Sequence, residues 1–239
     1  MLGVYNYTVV LTYMSVVSAV LGIFVTLSGT GHPYIGTMFL LFCGLCDAFD
    51  GKVASTKKDR SKLERNFGIQ IDSLSDVLAF GVLPACIGIA IMRTSPMLKS
   101  LCLSDSTEWY GDLIKYVLYA ILVIYALAAL IRLAYFNVTE EERQLTEDGP
   151  RKYYVGLPVT SAALIIPAAA IIRFICSYFF DISFLFYAIM LVTAIAFISS
   201  FKIKKFGLAG ILVLIGIGAA ICITFFLFRF VFYANIKFF

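Results

Sequence analysis

The sequence predicts an all-α, polytopic membrane bundle, on three observations. Of 239 residues, 61% are hydrophobic and only 14% are charged, where a soluble domain carries roughly 25% charged residues. Apolar stretches long enough to span a bilayer, which takes about 20 residues, recur along the whole chain. The basic residues gather in every second loop between those stretches. With a mean hydropathy of +0.94, the composition excludes a water-soluble enzyme, a disordered chain and a nucleic-acid-binding domain, so no nucleic-acid partner is expected.

Spans are expected at 7–28, 34–54, 68–93, 114–137, 156–179, 183–200 and 207–233, the sixth being short, within one membrane domain over 1–239. The first stretch lacks a basic leader and a small-residue cleavage site, so it reads as a retained helix rather than a signal peptide. The loop after the second span holds Lys52, Lys57, Lys58, Arg60, Lys62 and Arg65. The loop after the fourth holds Arg143, Arg151 and Lys152, and the loop after the sixth holds Lys202, Lys204 and Lys205. The alternate loops contain almost no Lys or Arg: His32 stands in one, Lys99 in another and only Asp181 in the third. By the positive-inside rule the basic loops face the cytoplasm of a cell-membrane protein, with the N-terminus inside and the C-terminus outside. The polar stretch 139–151 reads as a cytoplasmic loop with a helical turn. Cys43 and Cys46 spell C-x-x-C, but inside an apolar helix and without a second pair they read as packing residues.

Four acids break the apolar pattern. Asp47 and Asp50 lie near the cytoplasmic end of the second span, and Asp72 and Asp76 near the start of the third. A charge in hydrocarbon costs at least about 2.5–3.5 kcal/mol, so these groups need compensation. Spacings of three and four put each pair on one helix face, and the two helices are antiparallel neighbours whose pairs converge at one rim. Carboxylate oxygens are hard ligands that suit magnesium, manganese or calcium. Two divalent ions would balance four aspartates, and a two-metal carboxylate site is common apparatus for phosphoryl displacement. The competing reading is an ion or solute transporter, but such folds place carboxylates near the midplane between internal repeats. Here the acids sit at one rim and no repeat is visible.

Asp47-Ala-Phe-Asp50-Gly51-Lys-Val-Ala54, followed by Gly68-Ile-Gln-Ile-Asp72-Ser-Leu-Ser-Asp76, resembles the signature of the CDP-alcohol phosphatidyltransferases. That pattern is D-x-x-D-G-x-x-A-R and then G-x-x-x-D-x-x-x-D, and this chain matches every fixed position but one. Ser55 stands where the family has Arg. The spacer between the two halves is long and basic, and Arg60 or Arg65 is the expected replacement for the lost phosphate contact. Asp72 through Pro84-Ala85, together with Arg132-Leu-Ala-Tyr-Phe136-Asn137 and Gly156-Leu157-Pro158, is similar to the phosphatidylserine synthase branch, although Tyr135 replaces an Arg there. The resemblance covers roughly residues 5–170.

The resemblance implies a six-helix membrane core, here with one or two further spans, often a homodimer, and a polar cavity on the cytoplasmic side. It implies transfer of a phosphatidyl group from CDP-diacylglycerol, or a CDP-linked ether lipid, to the hydroxyl of L-serine, with release of CMP. Asp47, Asp50, Asp72 and Asp76 correspond to ligands of two divalent cations, Mg2+ or Mn2+, and Asp76 doubles as the general base. Thr12, Gly51, Ser55 and Arg65 map to contacts with the CDP-lipid. Arg132 is the candidate for the serine carboxylate because a buried Arg demands an anionic or polar partner, and Asn137 is a second acceptor-site candidate. Glycerol phosphate and inositol phosphate are the rival acceptors.

Overall fold

The computed structural model describes residues 3–103, 109–146, 153–177 and 180–204, with isolated positions between 216 and 227. A short 3-10 turn, Tyr7–Val9, leads into α1 (Val10–Leu27). α2 (Pro33–Ser55) returns antiparallel to it, starting at a proline whose missing N–H costs nothing in the first helical turn. α3 (Lys62–Asp76) continues through a π-helical turn, Val77–Val82, into α4 (Leu83–Thr94). Then come the short α5 (Pro96–Cys102), the long α6 (Trp109–Thr146), α7 (Ala162–Cys176) and α8 (Ser183–Ile198). Two three-residue strands, β1 (Tyr153–Val155) and β2 (Lys202–Lys204), pair antiparallel. They join the chain beyond α6 to the chain beyond α8.

The protein is an all-α polytopic membrane bundle. Five helical segments are long and apolar enough to cross a bilayer: Tyr7–Leu27, Pro33–Ser55, Lys62–Thr94, Trp109–Arg143 and Val159–Cys176. The expected sixth span is the 16-residue α8, about 24 Å long and shorter than the roughly 30 Å hydrocarbon core. The expected seventh, 207–233, lies mostly outside the described residues, as do Arg151, Lys152 and Lys205.

Two boundaries differ from the sequence reading, each for a local reason. α3 starts at Lys62 rather than near 68, because Ser61 accepts from the Glu64 N–H while the Glu64 side chain accepts from the Ser61 N–H. This capping box draws Lys62 and Arg65 out of the loop and into a helix. α6 has 38 residues, about 57 Å, and runs through most of the stretch expected as a loop. An Arg143–Glu140 pair one turn apart, at 2.6 Å, supports the extension.

Close approach of helices sets the interior. A Cβ at Gly36 would overlap Thr26 of α1, and one at Gly44 would overlap Ala163 of α7. Small residues of this kind let membrane helices meet backbone to backbone. The packed centre is built from Leu40, Phe80, Leu83, Ile87, Tyr125 and Ile166, all fully buried.

At the pole away from the four acids, Arg173 is 4% exposed and hydrogen-bonded to two neighbouring helices. Its Nε donates to Ser183 Oγ at 2.7 Å and its Nη1 to the Tyr34 hydroxyl at 2.5 Å. Ser183 donates in turn to Asp181, which also accepts from Ser95 Oγ and the Met97 N–H. Burial opposes charge on Asp181, but the hydrogen bonds from Ser183, Ser95 and Met97 outweigh it and hold the carboxyl below its ordinary value. The cluster ties the start of α2, the start of α5, the end of α7 and the start of α8.

The π-helical turn also has a chemical cause. Pro84 has no N–H to give to the Phe80 carbonyl one turn back. The Leu83 N–H reaches instead to the Leu78 carbonyl, and the Phe80 carbonyl is taken by the hydroxyl of buried Tyr125 at 2.9 Å. Tyr125→Phe strands that carbonyl in the core, so it should destabilise the folded protein by about 1–3 kcal/mol. Thermal unfolding in detergent reads this directly, and an unchanged midpoint would mean that the carbonyl has another donor.

Candidate metal centre and substrate site

The carboxylates sit where α2 and α3 pass each other near one rim. Asp47 and Asp50 lie on adjacent turns of α2, and Asp72 and Asp76 on adjacent turns of α3. One carboxylate oxygen from each of Asp47, Asp50 and Asp72 lies within 4.8 Å of the other two. Asp76 is outside that trio, one turn deeper, and only 7% exposed.

The rotation of α3 is fixed by the two serines between its aspartates. Ser75 Oγ donates to the Thr12 carbonyl of α1 at 3.4 Å. On the other flank, Asn137 Nδ2 of α6 donates to Ser73 Oγ at 2.7 Å. Asp72 and Asp76 are thereby held between α1 and α6. These serines were not singled out from the sequence, although Asp72-Ser-Leu-Ser-Asp76 displays them; their role shows only once α1 and α6 are seen on either side.

The trio fits a divalent cation. An ion bound at about 2.1–2.5 Å from each oxygen holds its ligand oxygens no more than about 4–5 Å apart, which matches the observed spread. Among the described residues none of the four aspartates is ion-paired with Lys or Arg, so protein cations do not neutralise them. The three acids can hold one divalent ion.

The other residues expected from the sequence are placed as follows. Thr12 is buried on α1, with its carbonyl engaged by Ser75. Gly51 faces open space: a Cβ there would meet nothing within 4 Å. Ser55 is exposed, and its hydroxyl donates to the Lys52 carbonyl of its own helix at 2.7 Å. Arg65 is exposed on the first turns of α3. Arg132, 6% exposed, donates from Nε to the Leu157 carbonyl at 3.2 Å and lies over the Phe136 ring, 5.7 Å from its centroid. Two sequence motifs, Arg132 through Asn137 and Gly156-Leu157-Pro158, thus meet in one contact. Gly156 makes the turn with φ +74°, a conformation that favours glycine.

Comparison with known proteins agrees with this arrangement. The chain is 35% identical over 153 residues to the CDP-diacylglycerol–serine O-phosphatidyltransferase of Saccharomyces cerevisiae, covering 62% of this chain and 46% of the yeast protein. It is 26% identical over 150 residues to the protein of the same name from Helicobacter pylori strain 26695, covering 62% and 52%. A third, from Mycobacterium tuberculosis H37Rv, is 25% identical over 138 residues, covering 56% and 38%. The chain therefore spans about half the length, or less, of the curated relatives it matches. The profile of the CDP-alcohol phosphatidyltransferases matches residues 5–199, which include all four aspartates and both serines between them. The chain belongs to the CDP-alcohol phosphatidyltransferase family.

Proposed function

We propose that this protein transfers the phosphatidyl group of CDP-diacylglycerol, or of a CDP-linked ether lipid, to the hydroxyl of L-serine. The products are phosphatidylserine and CMP. The observation that carries the chemistry is the convergence of Asp47, Asp50 and Asp72 with no protein cation to balance them. Serine as acceptor is supported by the names of the relatives and by the motifs around Arg132 and Gly156.

In this reading the site holds two divalent cations, Mg2+ or Mn2+, with Asp76 completing the ligand set. When bound, they neutralise the crowded carboxylates and the pyrophosphate of the donor. Asp76 accepts the proton of the serine hydroxyl. The serine oxygen forms a new bond to the lipid-side phosphorus, and the bond from that phosphorus to the CMP oxygen breaks. A positioned base is expected because a hydroxyl is a weak nucleophile at neutral pH. His32, the chain's one histidine, sits at the start of α2, at the other rim, so displacement is direct. Arg132 presents the planar fork that pairs with a carboxylate, and Asn137, which reaches Ser73 beside Asp72, is the second residue of the acceptor site. The basic loops face the cytoplasm, which puts the acids there too.

The identifying assay is CMP release by purified protein given CDP-diacylglycerol, Mg2+ or Mn2+, and a panel of alcohols. Release with glycerol phosphate or inositol phosphate but not serine would reassign the acceptor. Chelation should abolish turnover and added Mg2+ or Mn2+ should restore it, while Asp47→Asn and Asp72→Asn should stay folded and inactive. Full turnover in excess chelator would remove the metal from the mechanism.

Asp76→Asn and Arg132→Lys should separate chemistry from acceptor binding. The first should lower kcat by about 10²–10⁴-fold while sparing donor binding. The second keeps charge but loses the bidentate fork, so it should raise the serine KM more than it lowers kcat. Serine kinetics on the two variants decide it: an unchanged serine KM would make Arg132 a purely structural partner of Leu157.

Orientation is checked separately. Single cysteines at the exposed positions 58 and 32 should react with an impermeant thiol reagent from opposite sides, with position 58 on the cytoplasmic side. Reaction from one side would overturn the orientation.

A further inference from the structure

We propose that Arg60 is the cation that grips the phosphate of the incoming nucleotide-linked lipid, doing from the spacer what position 55 cannot. The inference rests on the transferase reading above and assigns a donor-binding residue within it.

The basic residues between α2 and α3 are not equivalent. Lys57 is committed to Glu64 at 2.6 Å, and Lys52 lies over the Phe49 ring. Lys58 and Lys62 are exposed, as is Arg65 on the outer turns of α3. Arg60 turns its guanidinium back toward both helices. Its Nη1 approaches the Ala54 carbonyl at 3.4 Å. A Cβ at Gly68 would come within 2.9 Å of its Nη2, so the arginine occupies the space that glycine leaves. Ala54 is four residues after Asp50 and Gly68 four before Asp72, so each lies about one helical turn from a carboxylate of the trio. The guanidinium therefore lies on the loop side of the acidic cluster, about one helical turn from its nearest members.

Its hydrogen bonding is unfinished. Arg60 Nε is buried and has no hydrogen-bond partner, and among the described residues no carboxylate lies within ion-pairing distance. Of the five donors of a guanidinium, one long bond to a carbonyl is accounted for. A buried donor without a partner is costly, and a planar fork suits the bidentate geometry of a phosphate. With divalent cations neutralising the aspartates, a guanidinium beside them adds a directional contact to the phosphate oxygens that the ions leave free. Ser55 offers nothing comparable, because its hydroxyl is spent on Lys52 of its own helix.

The ligand chemistry is a phosphate oxyanion, which a CDP-linked donor and an anionic lipid head group both carry. The test measures CDP binding by calorimetry, with Mg2+, on the full chain in nanodiscs of zwitterionic lipid. Arg60→Gln should weaken CDP binding and raise the CDP-diacylglycerol KM by about ten- to a hundredfold, with the serine KM unchanged. Arg60→Lys should lose part of that affinity, and Ser55→Arg added to Arg60→Gln should restore it. The unliganded unfolding midpoint should be the same in all of them. Wild-type CDP affinity in Arg60→Gln overturns the proposal, and a lowered midpoint with unchanged affinity makes Arg60 a clamp between α2 and α3. If anionic lipid in the nanodisc abolishes CDP binding to the wild type through Arg60, the site belongs to a head group and the donor assignment fails. Arg60-dependent CDP binding without CMP release to any alcohol would sink the transferase reading while leaving Arg60 as the phosphate site.

Discussion

Carboxylates at the edge of hydrocarbon are the constraint around which this molecule is arranged. A carboxylate costs about 2.5–3.5 kcal/mol to insert at the bilayer centre and less toward its edge, and three of the four share a space under 5 Å across. A chain that only needed to fold would dilute them, pair them with Lys or Arg, or replace them. Instead α2 and α3 are held so that the charges face one another, with Ser73 and Ser75 locking the helix that carries two of them. Among the described residues no Lys or Arg offsets the repulsion, and the spread of the three acids fits a hard divalent cation.

The opposite pole handles charge in the contrary way. Arg173 and Asp181 are engaged by their neighbours, through Ser183, Tyr34, Ser95 and the Met97 amide. The charges there are answered by side chains and an amide of the protein itself, and the result is a rivet across four helix ends. Buried charge alone therefore does not distinguish function from architecture in this fold. The distinction lies in whether the charge is balanced by the chain itself.

Much of this was legible in the sequence because the bilayer imposes long, simple patterns. Spans one to five follow from apolar length, and the pairing of Asp47 with Asp50 and of Asp72 with Asp76 follows from helical spacing. The capping box at Ser61 and Glu64 was equally readable, but the basic charge of that stretch masked it as loop. The extension of α6 through Thr146 was hidden because the polar run that begins at Thr139 and Glu140 shows no apolar period in the sequence. Other features depend on side chains meeting across the fold. Nothing local ties Arg132 to Leu157, separates Arg60 from Arg65, or shows that the serines of Asp72-Ser-Leu-Ser-Asp76 reach α1 and α6.

The π-helical turn between Asp76 and Leu83 has a further implication for how the span can change over time. A wide turn of this kind is equivalent to one residue inserted into a regular helix, and it shifts the angular phase of everything beyond it by about 100°. The half that carries the acids and the half that packs Ile87 and Ile91 into the core are thus phased independently along one rod. Losing a single residue from Val77–Val82 would restore regularity and swing the aspartates about a quarter-turn away from α2, with composition, hydropathy and span length almost unaltered. For this architecture, an in-frame deletion of one codon there is a larger event than most substitutions in the core.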